Sequence, residues 1–252
     1  MTLRERVVLV TGASSGLGAA TARMAAAEGA RVALLDLHPP SNGLWSEIGS
    51  AGVFVPVDIT VEHEVERAFA FVERELERLD LTVNCAGVAA SGSVLAEDGS
   101  MFPLDVCRRL LETNVLGTFD VTRHSARLMS RNERGADGAR GLIVNVASIA
   151  ADGGHSRQAA YAASKGAVAS MTLPLARDLA DLGIRVMCIS PGVFDTPILE
   201  PSNHRAPGSL ERLNAFPRRL GSPMEFAHLV LAIADNPMLN GEVIRLDAGA
   251  RL

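Results

Sequence analysis

Val7-Val-Leu-Val-Thr-Gly-Ala-Ser-Ser-Gly-Leu-Gly18 is the stretch that decides the fold. Its first four residues, Val7–Val10, form a short, wholly apolar run that reads as a strand buried on both faces. Glycines at 12, 16 and 18 follow it, and an Ala-rich helical stretch then continues to Gly29. Gly12, Gly16 and Gly18 allow a tight turn, completed by Ser14, Ser15 and Leu17, in which a pyrophosphate can approach the backbone at a helix N-terminus. The spacing is G-x-x-x-G-x-G rather than G-x-G-x-x-G, and an empty structural turn is the competing reading.

Outward from this turn the same alternation repeats. Strands are predicted at Val32–Leu35, Val53–Val57, Leu81–Val83, Leu142–Val146, Ile184–Ile189 and Val243–Leu246. Helices are predicted at about Val61–Arg78, Leu104–Met129, Ser156–Leu182 and Met224–Ala234, with Val65, Ala68, Val72 and Leu76 at helical spacing. The prediction is an α/β chain with one domain over residues 1–252, a doubly wound Rossmann fold whose seven-stranded parallel sheet carries helices on both faces. Its ligand crevice should lie at the carboxyl ends of the strands, where Asp36, Asp58, Asn84, Ser148 and Pro191 all fall. The polar stretch Asn132–Arg140 reads as a surface loop. Residues 191–217 hold five prolines and little periodicity, and read as a substrate loop.

Composition narrows the partners. With 48% hydrophobic and 21% charged residues, the chain can bury a sizeable core, and a net charge of -5 argues against a nucleic-acid or anionic-membrane partner. The apolar runs are too short to span a membrane. Arg6–Val10 already reads as a strand, so no targeting segment is expected ahead of it and a cytoplasmic protein is the expectation. Cys85, Cys107 and Cys188 form no CxxC pair and are expected to be buried thiols in a reducing compartment. Neither they nor the six dispersed histidines suit a metal site, and none is expected. Trp45 is expected to pack the loop after the second strand.

Asp36 stands 18 residues beyond Gly18 at the end of the second strand, where a carboxylate accepts hydrogen bonds from adenosine ribose hydroxyls. Leu37 adjoins it. A 2′-phosphate would meet a like charge there, and no Lys or Arg is adjacent, so NAD is the expected cofactor. The alternative is Asp36 as a helix N-cap. Asp58 can accept from the adenine amino group while Ile59 donates its backbone N–H, or Asp58 can instead cap the following helix. Asn84 can tie neighbouring strands together, and the small Ala86 and Gly87 let backbone and cofactor lie close.

One lysine, Lys165, stands among 24 Lys plus Arg, and the single tyrosine, Tyr161, lies four residues before it, on the same face of a helix. Oxidising a secondary alcohol needs a base for the hydroxyl proton and a hydride acceptor. A free tyrosine titrates near pH ~10, and a cation one turn away would lower that value. Ser148 can hydrogen-bond the substrate oxygen, or it is a strand-end hydroxyl. Asn114 is the candidate for holding a proton-relaying water to Lys165, or it is a mid-helix Asn bonded to backbone. His155 lies near this segment and reads as a surface histidine.

Together TGASSGLG (11–18), NCAG (84–87), NVLGTF (114–119), Ser148, YAASK (161–165) and PGVFDTP (191–197) resemble the short-chain dehydrogenase/reductase family over the whole chain. The resemblance implies that Pro191, Gly192 and Val193 border the nicotinamide and that Thr196 contacts its carboxamide. MTLPLARDLADLGIRVM (171–187), RRLGSPMEFAHLVLAI (218–233), NPMLNGEVIRLDAGARL (236–252) and the Asn132–Arg140 loop look like the type 2 3-hydroxyacyl-CoA dehydrogenase branch, whereas Pro201–Ala215 departs from it. That branch implies NAD-dependent interconversion of 3-hydroxyacyl-CoA and 3-ketoacyl-CoA, as in fatty-acid metabolism. It also implies a homotetramer, which the two long helices and the last strand could build. A 3-oxoacyl-carrier-protein reductase and a hydroxysteroid dehydrogenase are the enzymatic alternatives. A dinucleotide-binding regulator is the non-enzymatic one, against which the full set Asn114, Ser148, Tyr161 and Lys165 speaks. Arg205, Arg212, Arg218 and Arg219 with apolar Val193, Phe194, Ile198, Leu199, Leu213 and Phe216 could receive an acyl-CoA, or the arginines are solvated or paired with Glu200, Glu211 and Glu225.

Overall fold

Runs of Val, Leu and Ile that avoid charge can only be strands covered on both sides, and the computed structural model, which describes residues 2–135, 137–202 and 211–251, has that arrangement. Strands β1 (Val7–Thr11), β2 (Arg31–Asp36), β3 (Gly52–Pro56), β4 (Leu81–Asn84), β5 (Gly141–Val146), β6 (Ile184–Pro191) and β7 (Val243–Leu246) form one sheet. All pairings are parallel, in the order β3-β2-β1-β4-β5-β6-β7. The order reverses at β1, whose two neighbours are β2 and β4, so the switch point lies between the carboxyl ends of β1 and β4.

Alternate residues of each strand feed opposite cores. Val8, Val10, Leu34, Val83 and Val144 pack with Phe226 and Val230 of helix α8 (Pro223–Asp235) on one face. Val7, Leu9, Leu35 and Ile143 pack with Phe69 and Val72 of α3 (Glu62–Leu76) and Val121 of α5 (Thr118–Met129) on the other. Each such fully buried Leu, Val or Phe contributes roughly 1.5–3 kcal/mol. Helix α1 (Gly16–Ala27) packs against α8, which starts on a full capping box between Ser222 and Glu225.

Three stretches differ from expectation. Residues after β2 form a short helix, α2 (Asn42–Ile48), capped by the Ser41 hydroxyl on Leu44 N, so Trp45 sits on a helix rather than a loop and is 39% exposed. The helix expected over Leu104–Met129 is α4 (Leu104–Leu111), a π-helical turn at Glu112–Gly117, and α5. The helix expected over Ser156–Leu182 is α7 (Ala159–Asp178) followed by a 3-10 turn at Ala180–Leu182, and a short unexpected helix, α6 (Ala150–Gly153), precedes it. Among the described residues no helix is long and apolar enough to cross a membrane.

Candidate active site

The turn after β1 is shaped by what its glycines lack. Gly12 adopts φ +62, and a Cβ there would lie 2.8 Å from Ala86 N, on the connection leaving β4. A Cβ on Gly18 would collide with the Gly12 carbonyl oxygen. Ala86 N donates to Thr11 Oγ1 (3.1 Å), fastening β4 to β1 at the switch point. Ser15 caps α1 without any side-chain hydrogen bond, leaving the backbone of the first turn to face an anion. Thr196 and Pro197 close over the turn, because a Cβ on Gly16 would meet Thr196 Cγ2 at 3.2 Å.

Asp36 is not an N-cap. Its Oδ2 accepts from Ser14 N (3.0 Å) and its Oδ1 from His38 N (3.2 Å), so the carboxylate braces the glycine turn from β2, while Leu37 beside it is 59% exposed. Asp58 Oδ1 accepts from both Thr60 N (2.9 Å) and Thr60 Oγ1 (2.7 Å) ahead of α3, while Ile59 is buried. The cradle fits a dinucleotide: a backbone hollow that any Cβ would fill, an uncapped helix start, and a carboxylate at the end of β2.

Across the switch point the side chains take over. Asn84 Nδ2 donates to Asn145 Oδ1 (2.8 Å), its register partner on β5, and to Thr122 Oγ1 (3.3 Å) on α5, so it ties elements together. Ser148 follows β5, and its Oγ accepts from Ala150 N (3.2 Å). Tyr161 is half-buried on the first turn of α7. Burial pushes its phenol above the ordinary tyrosine range, and the hydrogen bond with the Ser148 side chain opposes this.

Lys165 does not act on that phenol directly here. Its Nζ donates to the Val146 carbonyl (2.9 Å) at the end of β5, and burial brings the amine down to about 8. A Cβ on Gly87 would stand 3.4 Å from Lys165 Nζ and 3.1 Å from Asn114 Oδ1. Asn114, wholly buried in the π-helical turn, pairs through its amide with both the N–H and the C=O of Val88 (2.9 Å each) and with Ser164.

Pro191, the last residue of β6, is buried, and Gly192 N donates to Leu246 O (2.9 Å) where a Cβ on Gly192 would lie 2.8 Å from Asp247 Cα. Val193 O accepts from Gly221 N (2.9 Å), and Phe194 is buried over Gly221. Arg219 is bound bidentately to Glu225 (2.8 and 2.6 Å), whereas Arg212 and Arg218 are exposed. Phe216 is 84% exposed. Arg205 and the side chain of Glu200 lie outside the described residues. Cys85 and Cys107 are half-buried rather than buried, and burial pushes the Cys85 thiol up to about 12. Among the described residues no group of three His, Cys, Asp or Glu could hold a metal ion. Two positions of this site carry no signal of their own in the sequence: Val88, which pairs with Asn114 through its backbone alone, and Ser164, hidden inside the YAASK motif.

A Rossmann sheet with a glycine turn at its switch point and a Ser-Tyr-Lys cluster facing it defines a class of oxidoreductases. The model of the short chain dehydrogenase family matches residues 6–207, and the chain belongs to that family and is an enzyme. It is 49% identical over 253 residues to the 3-hydroxyacyl-CoA dehydrogenase type-2 of Drosophila melanogaster, covering 99% of each chain. The crystal structure of 3-hydroxyacyl-CoA dehydrogenase type-2 from Mycobacterium avium superimposes with TM-score 0.92 at 34% identity, covering 100% of this chain and 98% of that one. ElxO with NADP bound superimposes with TM-score 0.86 at 25% identity over 97% of this chain and 98% of that one.

Proposed function

We propose that the chain is an NAD-dependent dehydrogenase interconverting 3-hydroxyacyl-CoA and 3-ketoacyl-CoA. The observation that carries the reading is a Tyr161 phenol paired with Ser148 one helical turn from Lys165, whose buried amine lies beside Gly87 across from the glycine turn that Asp36 braces, in a chain about half identical to a type 2 3-hydroxyacyl-CoA dehydrogenase. When bound, NAD supplies the hydride acceptor. Gly12, Ser14, Ser15, Gly16, Leu17 and Gly18 would hold its pyrophosphate, Asp36 and Leu37 the adenosine ribose, and Asp58 and Ile59 the adenine. Asn84, Ala86 and Gly87, with Pro191, Gly192, Val193 and Thr196, would border the nicotinamide half. Asp36 keeps free lone pairs on both oxygens for ribose hydroxyls, and its charge disfavours a 2′-phosphate.

Tyr161 Oη takes the hydroxyl proton of the alcohol and returns it to the ketone. Ser148 Oγ hydrogen-bonds both the phenol and the substrate oxygen. Lys165 would hold the nicotinamide ribose, and Asn114, on the neighbouring turn, keeps the amine's surroundings in place and serves a relaying water. Because burial raises the phenol, Tyr161 is protonated at neutral pH, the form that ketone reduction uses; alcohol oxidation accelerates as pH rises.

The loop 191–217, of which 203–210 lie outside the described residues, would admit the acyl chain. The Glu225 pairing leaves Arg212 and Arg218, rather than Arg219, to meet the CoA phosphates. A homotetramer is part of the same reading, supported by exposed Leu104, Leu111, Leu116 and Phe119 along α4 and α5. Free thiols without a CxxC pair suit a cytoplasmic setting. The test compares NADH-driven reduction of acetoacetyl-CoA with that of unesterified acetoacetate. The ester should be favoured by a factor of roughly 100 or more in kcat/KM, since contacts to the remote CoA stabilise the transition state; equal rates, or turnover of hydroxysteroids alone, would refute the acyl-CoA assignment.

A further inference from the structure

Asn114 and Ser164 are both 0% exposed, and they join three segments that are distant in sequence. Asn114 Nδ2 donates to Val88 O (2.9 Å) and to Ser164 Oγ (3.0 Å), and Asn114 Oδ1 accepts from Val88 N (2.9 Å). Ser164 Oγ then donates its own proton to the main-chain carbonyl of Tyr161 (2.7 Å). A hydroxyl carries one donor and can accept at the same time. Ser164 therefore spends its donor on Tyr161 and its acceptor on Asn114, and completes an unbroken chain from the β4 connection to the first turn of α7.

The π-helical turn at Glu112–Gly117 makes this reach possible, because the extra residue per turn carries Asn114 between Val88 and α7. The chain passes the Lys165 amine, since a Cβ on Gly87 would touch both Asn114 Oδ1 and Lys165 Nζ. We infer that Ser164 is a positioning residue, locking α7 to the π-helical turn so that the Tyr161 phenol stays against Ser148 and the Lys165 amine stays beside Gly87. This rests on the reading of Tyr161 as proton carrier. The competing role is a back-bond that only steadies one helical turn; such a bond affects unfolding and leaves the phenol alone.

The chain's single tyrosine separates the two, because the near-ultraviolet phenolate absorbance of the whole protein reports Tyr161 alone. Ser164→Ala should titrate at higher pH than the parent, since a loosened phenol loses part of the Ser148 hydrogen bond that holds it down. Its kcat for alcohol oxidation at neutral pH should fall about threefold to tenfold, with KM for NAD within about twofold, as expected for a displaced acid–base group. Ser164→Thr, which keeps the hydroxyl, should recover most of both. If Ser164→Ala is too unstable to assay, Ser164→Cys, near in size and weaker in hydrogen bonding, gives the same comparison. An Ala or Cys variant that melts lower yet titrates and turns over like the parent overturns the inference. Full turnover by Tyr161→Phe would instead overturn the proton-carrier reading, and the titration would still decide whether Ser164 positions the phenol.

Discussion

The two sides of the crevice are built by opposite means. On the β1–β3 side the surface is backbone, cleared by Gly12, Gly16 and Gly18 and braced by Asp36 through the Ser14 and His38 amides. On the β4–β6 side it is side chain, with Asn114, Ser148, Tyr161 and Lys165 converging from three separate segments. A backbone cradle tolerates exchange of the residues around it but no added atom at its glycines. A side-chain cluster tolerates little exchange of the functional groups themselves.

The contrast breaks first at Tyr161. Tyr161→Phe removes the proposed proton carrier and no cradle contact, so turnover should fall by roughly 10²–10⁴-fold while NAD titration stays within a few-fold of the parent. Next is Gly18→Ala, whose methyl must displace the Gly12 carbonyl. Equilibrium binding should register this as a loss of NAD affinity of about tenfold or more, worth ~1.4 kcal/mol, before any catalytic effect appears. Normal affinity there would mean that the turn is only structural.

Asp36 sharpens the same comparison at lower amplitude. Asp36→Ala should narrow the preference for NAD over NADP and also weaken NAD itself, because the Ser14 and His38 amides lose their acceptor. Asp36→Asn keeps one acceptor oxygen and should lose selectivity while retaining more affinity; a parent enzyme that prefers NADP in kcat/KM contradicts the ribose role. Smallest is Arg219→Ala. Its Glu225 pair is exposed and closes the N-terminus of α8, so KM for an acyl-CoA should change less than about twofold, whereas Arg218→Ala should raise it more.

The sheet was legible because its strands are uninterrupted apolar runs, and the cradle because glycine has no substitute where Gly18 meets Gly12. The π-helical turn was not legible. Leu104–Met129 keeps helical spacing throughout, and the extra residue is drawn out by Asn114 bonding to Val88, which lies 26 residues away. Nor was the setting of Lys165: the four-residue spacing put it on the Tyr161 face, yet the amine turns to the Val146 carbonyl, and the phenol is steadied by Ser148 instead. Helix α2 escaped because Pro39 and Pro40 precede a segment of only seven residues.

Tyr161 is proposed to carry the proton, with Ser148 governing its phenol. The most direct measurement is the pH dependence of kcat/KM for alcohol oxidation in the parent and in Ser148→Ala, since that profile reports the essential base of the free enzyme. Losing the hydrogen bond that opposes burial should move the ascending limb, which the base sets, to higher pH and lower the rate at neutral pH. A limb that stays where it was in Ser148→Ala would assign the proton to a group other than Tyr161.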